Sequence, residues 1–209
     1  MTEQLHVSTH PLVREKVTRL RDERTPPPDF RRLVQEIAML VLYEATADLA
    51  LEESDVRTPL APYRGVRLAE KIGLVPVLRA GIGMVESALQ LIPEAQVWHI
   101  GLFRDERTLR PIEYYNKLPS SATAQVVLVL DPMLATGGSA VATIDILERW
   151  GASRVKYVGL IAAPEGVRAL NASHPRVPIH VAALDERLND RGYIVPGLGD
   201  AGDRQFGTG

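Results

Sequence analysis

The 209-residue sequence has no cysteine, which excludes disulfide bonds, thiolate metal sites and a cysteine nucleophile. No uninterrupted apolar stretch approaches the roughly 18 residues that a membrane-spanning helix needs. The first residues lack the basic-then-apolar pattern of a signal peptide. A net charge of −2 without a long basic run argues against a surface that coats nucleic acid. These absences predict a soluble cytoplasmic protein whose partners include neither a membrane nor a nucleic acid.

What the sequence does contain is typical of a folded domain, since 45% of its residues are hydrophobic and 24% are charged. The length predicts a single α/β domain over residues 1–209, or one domain with a small extension. Residues 12–50 have helical spacing that Pro26–Pro28 interrupts. Asp29 is predicted to be the N-cap of a longer helix that runs to about Leu49.

Beyond this region, apolar runs alternate with helix-like segments. The alternation predicts a mostly parallel, doubly wound sheet with helices on both faces. Strands are predicted over 63–68, close to a dimer-facing edge, and over 74–78, 96–103, 126–130, 155–162 and 178–183; helices are predicted over 83–91, 140–150 and 165–172. The glycine-rich tail, residues 192–209, has little periodicity and is predicted to bury few side chains.

The most informative stretch lies between the apolar run 126–130 and the helix-like segment 140–150. It consists of Asp131, Pro132, Met133, Leu134, Ala135, Thr136, Gly137, Gly138 and Ser139. Ligands of an open parallel sheet bind beyond the carboxyl ends of its strands. Small residues at a helix start leave backbone N–H groups free, at the positive end of the helix dipole, to hold a phosphate. The carboxylate of Asp131 suits sugar hydroxyls or a metal, so the pattern predicts a phosphorylated sugar as ligand.

This stretch, the phosphate cradle (131–139), resembles the ribose-phosphate-binding motif of phosphoribosyltransferases, which use 5-phosphoribosyl 1-diphosphate (PRPP). That motif usually has two adjacent acids, whereas here the second position is Pro132. A single acid followed by Pro-Met-Leu-Ala-Thr-Gly-Gly-Ser resembles the uracil phosphoribosyltransferases in particular. The resemblance implies the phosphoribosyltransferase type of fold and a Mg²⁺ cofactor. The missing second acid implies that the diphosphate carries the metal, without direct protein ligands.

A second segment, the arginine loop (78–84), has small residues after a predicted strand. They would admit a diphosphate close to the backbone, and Arg79 would supply charge. The resemblance assigns the diphosphate to this loop. It is not a dinucleotide fingerprint, because Glu86 stands where the third glycine belongs. The alternative is a glycine-rich turn into a helix.

A third segment, residues 104–119, is a long polar connection, which is uncommon unless it forms a lid or a binding loop. It resembles the flexible hood that closes over the substrate in this family. Arg104 matches the family's phosphate-contacting arginine. The alternative is a solvated hairpin whose tyrosines pack on the surface.

A fourth segment, the tail segment (192–208), resembles the family's uracil site. A flat pyrimidine presents alternating donors and acceptors, which backbone N–H and C=O groups can bind. The resemblance assigns uracil to the backbone at Ile194, Gly199 and Ala201, with Asp200 facing the sugar diphosphate. For Asp200 or Asp203 alone, the alternative is an Asx turn in a glycine-rich loop.

Together these segments predict transfer of the phosphoribosyl group of PRPP to uracil, giving UMP and diphosphate. Asp131, Asp200 and Arg104 are the predicted catalytic residues, and no His or Lys beside the motifs offers a general base. The resemblance implies a homodimer or homotetramer, and GTP as an effector in some members. A regulatory RNA-binding protein on the same fold and a purine phosphoribosyltransferase are the competing hypotheses.

Overall fold

The computed structural model describes residues 4–104 and 111–208, with the side chains of 102–104 and 111–113 outside the description. The helices within these residues are α1 (Pro11–Arg21), α2 (Pro27–Ala45), α3 (Val85–Leu91), α4 (Gly138–Trp150), α5 (Pro164–Ser173) and α6 (Ala201–Phe206); a 3₁₀ helix, Ala80–Met84, precedes α3. The strands are β1 (Leu5–Val7), β2 (Leu51–Arg57), β3 (Pro62–Leu68), β4 (Ile72–Pro76), β5 (Gln96–Val97), β6 (Ile100–Arg104), β7 (Pro111–Asn116), β8 (Val126–Leu130), β9 (Met133–Leu134), β10 (Arg154–Ala162), β11 (Ile179–Leu184), β12 (Arg187–Leu188) and β13 (Ile194–Val195).

The central sheet has the strand order β1-β11-β10-β8-β4-β5, and β9 pairs with the far end of β10. Every pair in it is parallel, which confirms the predicted mostly parallel sheet. The middle strand, β8, is buried along its whole length. A strand covered on both faces has no polar side, which explains its unbroken apolar sequence.

Helices cover both faces of this sheet, as predicted, and each face has its own core. Side chains of β8 alternate between the two cores, with Leu128 in one and Val129 in the other. The first core receives α1, α2, α3 and α6, and the second receives α4 and α5. Within the described residues, every helix is too short or too polar to cross a bilayer.

Two predicted elements have clearly different boundaries in the structure, and a third lies partly outside the described residues. The predicted break between two helices is present, since α1 ends at Arg21 and α2 begins at Pro27. The N-cap was wrong: α2 runs from Pro27 to Ala45, so Asp29 lies in its first turn and pairs with Arg32 instead of capping it. Proline fits the first turn because its missing N–H has no helical partner there. The predicted strand 96–103 is two strands, β5 and β6, and β6 leaves the sheet to pair with β7. Residues 105–110 lie outside the described residues, so the hood stays a prediction.

Several elements were not predicted, among them β2, β13 and α6. Strand β2 pairs with β3 over its full length, and the pair forms an exposed hairpin, the arm (51–68). The tail segment holds β13 and α6, and it buries Ile194, Leu198 and Ala201. With Gln205 these are the only buried side chains of the described tail segment, so few are buried, as predicted; α6 itself was missed because a helix of six residues is too short to show periodicity.

Candidate active site

The phosphate cradle follows β8 and leads into α4, as the sequence predicts. It encloses a small cavity of about 90 Å³. The cavity is lined by Asp131, Met133, Leu134, Ala135, Thr136, Gly137, Ser139 and Ala140. Gly137 caps α4, and the first backbone hydrogen bond of that helix runs from Val141 to the Gly137 carbonyl. The N–H groups before Val141 are therefore available to an anion at the helix start.

Packing against β10 and α5 fixes the shape of the cradle. The Pro132 carbonyl accepts hydrogen bonds from the backbone of Leu160 and Ile161, at 3.0 Å each. Leu134 is buried in the core, so its side chain supports the cradle from below. Gly166 of α5 lies so close that an added Cβ would stand 2.5 Å from the Ala135 carbonyl oxygen. No local sequence pattern identifies Gly166, because its role depends on how α5 packs against the cradle.

Asp131 lies at the carboxyl end of β8, and no described basic side chain contributes to the pKa of its carboxyl. It is half-buried, and its Oδ1 lies 3.4 Å from the backbone nitrogen of Met133. Burial raises the pKa of the Asp131 carboxyl to about 7, and the Met133 N–H lowers it only in part. Among the described residues no cation contributes to this pKa. The carboxylate is therefore prepared to accept hydrogen bonds or positive charge from a ligand.

Tyr157 holds the backbone of Asp131 in place, and sequence reasoning missed it. Its hydroxyl donates to the Asp131 carbonyl at 2.9 Å from a fully buried ring. Burial, and then the charge of Asp131, raise the pKa of Tyr157 well above its ordinary value, so the hydroxyl stays a donor. A tyrosine inside an apolar strand carries no sequence sign of such a role.

The arginine loop follows β4, the neighbour of β8, and runs into the 3₁₀ helix. Gly81 packs against the end of β8, where an added Cβ would stand 2.3 Å from the Leu130 carbonyl oxygen. Arg79 is exposed, and its Nη2 lies 3.3 Å from Oδ1 of Asp203 in α6. The Thr208 hydroxyl and then Arg79 lower the pKa of Asp203, which stays ionised. The loop thus carries an exposed cation at the end of β4, the strand next to β8, and its role in diphosphate binding stays a prediction.

The tail segment reaches both other segments. Gly192 lies beside Thr136 of the cradle, and Gly202 lies beside Arg79 and Ala80 of the arginine loop. The Gln205 amide, fully buried, donates to the carbonyls of Ala80 and Ala201 at 3.1 and 3.0 Å.

Each predicted uracil-binding residue has a defined place in the tail segment. Ile194 lies in β13, Gly199 has φ +80, and Ala201 begins α6. Asp200 is the N-cap of α6 and accepts from the backbone of Asp203 at 2.9 Å. Asp200 therefore has the helix-capping role of the alternative interpretation, and its second oxygen stays available to a ligand.

Three of the four predicted segments therefore meet at the carboxyl end of the sheet. Arg104 ends β6, and its side chain lies outside the described part of the chain, so its role stays a prediction. Among the residues that the structure describes, no group of three or more His, Cys, Asp or Glu side chains is arranged to hold a metal ion. The carboxyl end of the sheet thus holds the small cavity of the cradle with Asp131, the exposed Arg79 and the glycine-rich backbone of the tail segment.

Solved structures with a similar fold indicate the class of protein to which the chain belongs. The chain superposes on the hypoxanthine phosphoribosyltransferase from Trypanosoma cruzi with a TM-score of 0.52, covering 76% of this chain and 75% of that one at 12% identity. That likeness shows the phosphoribosyltransferase fold. The AQ2163 protein from Aquifex aeolicus is far more similar, with a TM-score of 0.92, 41% identity and 98% of both chains covered.

The family follows from the sequence comparisons. The model of the uracil phosphoribosyltransferase family matches residues 7–208. The uracil phosphoribosyltransferases of Roseiflexus castenholzii and Geobacillus kaustophilus are 65% and 57% identical to this chain, covering 99% and 98% of both chains. The chain belongs to the uracil phosphoribosyltransferase family, which confirms the family and the enzyme class predicted from the four motifs.

Substitutions at two neighbouring glycines of the cradle, Gly137 and Gly138, should have different effects on stability and on activity. Gly137 has φ +83, and an added Cβ there would meet α5 at 2.9 Å from Ala169, so it would not point into the phosphate space. An added Cβ at Gly138 has only the Thr136 hydroxyl nearby, at 3.8 Å. We expect Gly137→Val to cost about 1–3 kcal/mol of stability through backbone strain and crowding. We expect Gly138→Val to keep its melting temperature and to lose at least about tenfold in kcat/KM.

Thermal melts and PRPP titrations of both variants check this prediction, and Gly138→Ala provides an intermediate control. Wild-type turnover in a folded Gly138→Val protein would show that the cradle does not hold the phosphate.

Proposed function

We propose that this chain transfers the phosphoribosyl group of PRPP to a ring nitrogen of uracil, giving UMP and releasing diphosphate. The observation that carries the proposal is the meeting of three loops at one end of the sheet: the phosphate cradle, the arginine loop and the tail segment. Membership of the uracil phosphoribosyltransferase family supports the choice of substrates.

Each part of PRPP and uracil is bound by a different group of the chain. Backbone amides of Ala135 to Ser139 hold the 5-phosphate, and Asp131 accepts hydrogen bonds from the ribose hydroxyls. Breaking the bond at the sugar C1 builds positive charge on the ring and negative charge on the diphosphate. Arg79 and Arg104 stabilise the departing diphosphate, while Asp200 orients it through water. The tail segment holds uracil in line with C1, so that little entropy is lost at the moment of reaction.

Mg²⁺ fits this site as a companion of the diphosphate. The raised pKa of Asp131 marks a buried carboxyl without a neighbouring cation, and bound Mg²⁺ would supply positive charge that offsets the leaving diphosphate. The metal site itself stays a prediction, in which PRPP brings the ion and Pro132 takes the place of a second acid.

A panel of bases assayed for diphosphate release tests the proposal. We expect release with uracil in the presence of Mg²⁺, little release with cytosine, hypoxanthine or adenine, and none after addition of a chelator. Use of hypoxanthine in place of uracil would favour a purine enzyme. Strong, salt-sensitive RNA binding without UMP formation would favour the regulatory hypothesis.

We also propose that the arm joins two copies of the chain, which would make the protein a homodimer or homotetramer. Leu51, Val66 and Leu68 lie on one face of this two-stranded hairpin, and all three are exposed. An isolated hairpin with apolar side chains in water gains stability when a partner covers it. We expect the double change Val66→Lys and Leu68→Lys to convert the oligomer to a monomer.

Light scattering after size-exclusion chromatography measures that change, with Leu12→Lys on α1 as a control at another exposed leucine. An unchanged mass in the double variant would contradict an interface at the arm.

GTP as an effector rests on the family resemblance and stays a prediction, to be tested by titrating GTP into UMP synthesis at low PRPP. Cytoplasmic localisation also stays a prediction.

A further inference from the structure

An ion pair joins the end of α1 to the tail side of the sheet. Arg21 donates through Nη1 to Oδ2 of Asp185 at 2.7 Å and through Nη2 to Oδ1. The Asp185 side chain is only 2% exposed, and that of Arg21 is 23% exposed. The two residues are 164 positions apart in the sequence. A two-point contact of this kind fixes the guanidinium in position and orientation.

The pair binds both backbone polar groups of one residue of the tail segment, Gly197. The Gly197 carbonyl accepts from Arg21 Nη1 at 2.7 Å, and the Gly197 N–H donates to Asp185 Oδ2 at 2.9 Å. Gly197 has φ +63, and an added Cβ would stand 2.1 Å from the Ile194 carbonyl oxygen. The pair therefore fixes the turn that sets Ile194 relative to Gly199.

A second arginine holds the next residue to the same end of α1. Arg204 donates to the Leu198 carbonyl at 2.8 Å, to the Leu20 carbonyl at 2.9 Å and to the Asp22 carbonyl at 2.6 Å. Its guanidinium also lies 4.4 Å from the ring centroid of Phe30. The backbone between Ile194 and Gly199 is thus gripped at two successive residues by side chains outside the predicted substrate contacts.

We propose that Arg21 and Asp185 are positioning residues for base selection: they hold Gly197 so that the backbone of Ile194 and Gly199 faces the base. The inference rests on the proposed function, in which the tail segment binds uracil. The hydrogen bonds of the pair reach Gly197 and neither the cradle nor the arginine loop, so we expect PRPP binding to be independent of the pair.

A purely structural role would give a different pattern of effects. A buried ion pair is often no more stabilising than apolar residues of similar size, whereas removal of one partner leaves a costly unpaired charge. The double change Arg21→Met and Asp185→Leu removes both charges together, so the fold should survive. The same change removes the side-chain partners of the Gly197 N–H and the Gly197 carbonyl, so the turn loses the contacts that hold it in place.

The experiment compares this double variant with Arg21→Lys and Asp185→Asn. Lysine keeps the positive charge at position 21 but cannot make the two-point contact with Asp185. Asparagine at position 185 presents an amide donor to Arg21 in place of an accepting oxygen. Arg24→Met is the matched control, because Arg24 forms an exposed pair with Asp22 at the same end of α1. For each protein one measures the melting temperature, the KM for uracil, the KM for PRPP and the ratio of kcat/KM for uracil over cytosine.

We expect each of the three pair variants to raise the KM for uracil at least about tenfold and to lower the uracil preference, with the KM for PRPP changed less than about threefold. The control should match the wild type in all four quantities. A folded double variant with an unchanged KM for uracil would overturn the inference, as would equal increases in both KM values. Gly199→Pro distinguishes the two proposals. If it loses uracil turnover while the pair variants behave like the wild type, only the positioning role is rejected. If it keeps normal turnover, the tail segment is not the base site.

Discussion

Asp131→Asn is expected to lower kcat/KM at least about tenfold, which corresponds to about 1.4 kcal/mol of transition-state stabilisation. The change keeps the shape of the side chain and removes its charge. If Asp131 only capped a turn, asparagine would replace it at little cost, because the two residues cap about equally well. Steady-state kinetics with PRPP as the varied substrate measure the effect, and unchanged kinetics would remove Asp131 from the catalytic residues.

The same substitution should stabilise the ligand-free protein at alkaline pH. The pKa of Asp131 is raised from 3.8 to about 7, so the folded state holds this proton more tightly than the unfolded state. Below about pH 4 the group is protonated in both states, and between pH 4 and 7 each rise in pH costs stability. We expect Asp131→Asn to be more stable than the wild type at pH 8 by on the order of 1–2 kcal/mol, with the gap closing toward pH 4.

Denaturant unfolding at pH 4, 6 and 8 measures the gap, and Glu94→Gln in the exposed turn before β5 serves as the control. A constant difference across this pH range would mean that Asp131 does not titrate as its burial requires. Gain of stability with loss of activity would identify Asp131 as a group whose charge is kept for its ligand.

Gly199→Pro is expected to abolish uracil turnover while leaving PRPP binding close to that of the wild type. Gly199 has φ +80, whereas proline fixes φ near −65° and removes the N–H that a uracil carbonyl would use. The phosphate cradle lies on other strands and should be unaffected. Gly199→Ala is the matched control, because alanine keeps the N–H and carries only the strain of a left-handed conformation. PRPP titration and UMP synthesis on the same preparations separate the two substrates.

Strong rejection of cytosine belongs to the same prediction. Cytosine has an amino donor where uracil has a carbonyl acceptor, so a backbone N–H placed for uracil would lose its partner. One buried unpaired donor costs about 1–3 kcal/mol, and hydrogen-bonding sites discriminate between analogues by up to about 10⁴-fold. Ile194→Val should have a mild effect, since the backbone is kept. Cytosine turnover equal to that of uracil would exclude the tail segment as the base site.

The parts of the site that could be predicted from sequence are local ones. The apolar run of β8, the acid at its end and the small residues before α4 are adjacent in the chain, so their order alone indicates a cradle. The left-handed backbone of Gly137, with φ +83, and the packing of α5 behind the loop are not visible in the sequence, because both depend on the folded chain.

The parts that escaped prediction depend on distant contacts or on exposure. Strand β2, Leu-Glu-Glu-Ser-Asp-Val-Arg, is exposed on both faces, so no alternation of apolar and polar residues identifies it. Tyr157 and Gly166 support the cradle from β10 and α5, and nothing nearby in sequence connects them with Asp131. The partners of Gly197 lie in α1 and beyond β11, which only the folded chain brings together.

The grip of Arg204 on the carbonyls of Leu20 and Leu198 ties the beginning of the chain to its end. Its bond to Leu20 closes a loop of 184 residues. Contacts of such separation form late in folding, because the entropy of closing the loop must be overcome before the contact forms. Strands β4, β8 and β10 and the phosphate cradle are synthesised before the residues that complete the base site. A chain that ends before residue 204 lacks the bonds from Arg204 and Gln205, so we expect it to lose base selection together with part of the support of the arginine loop.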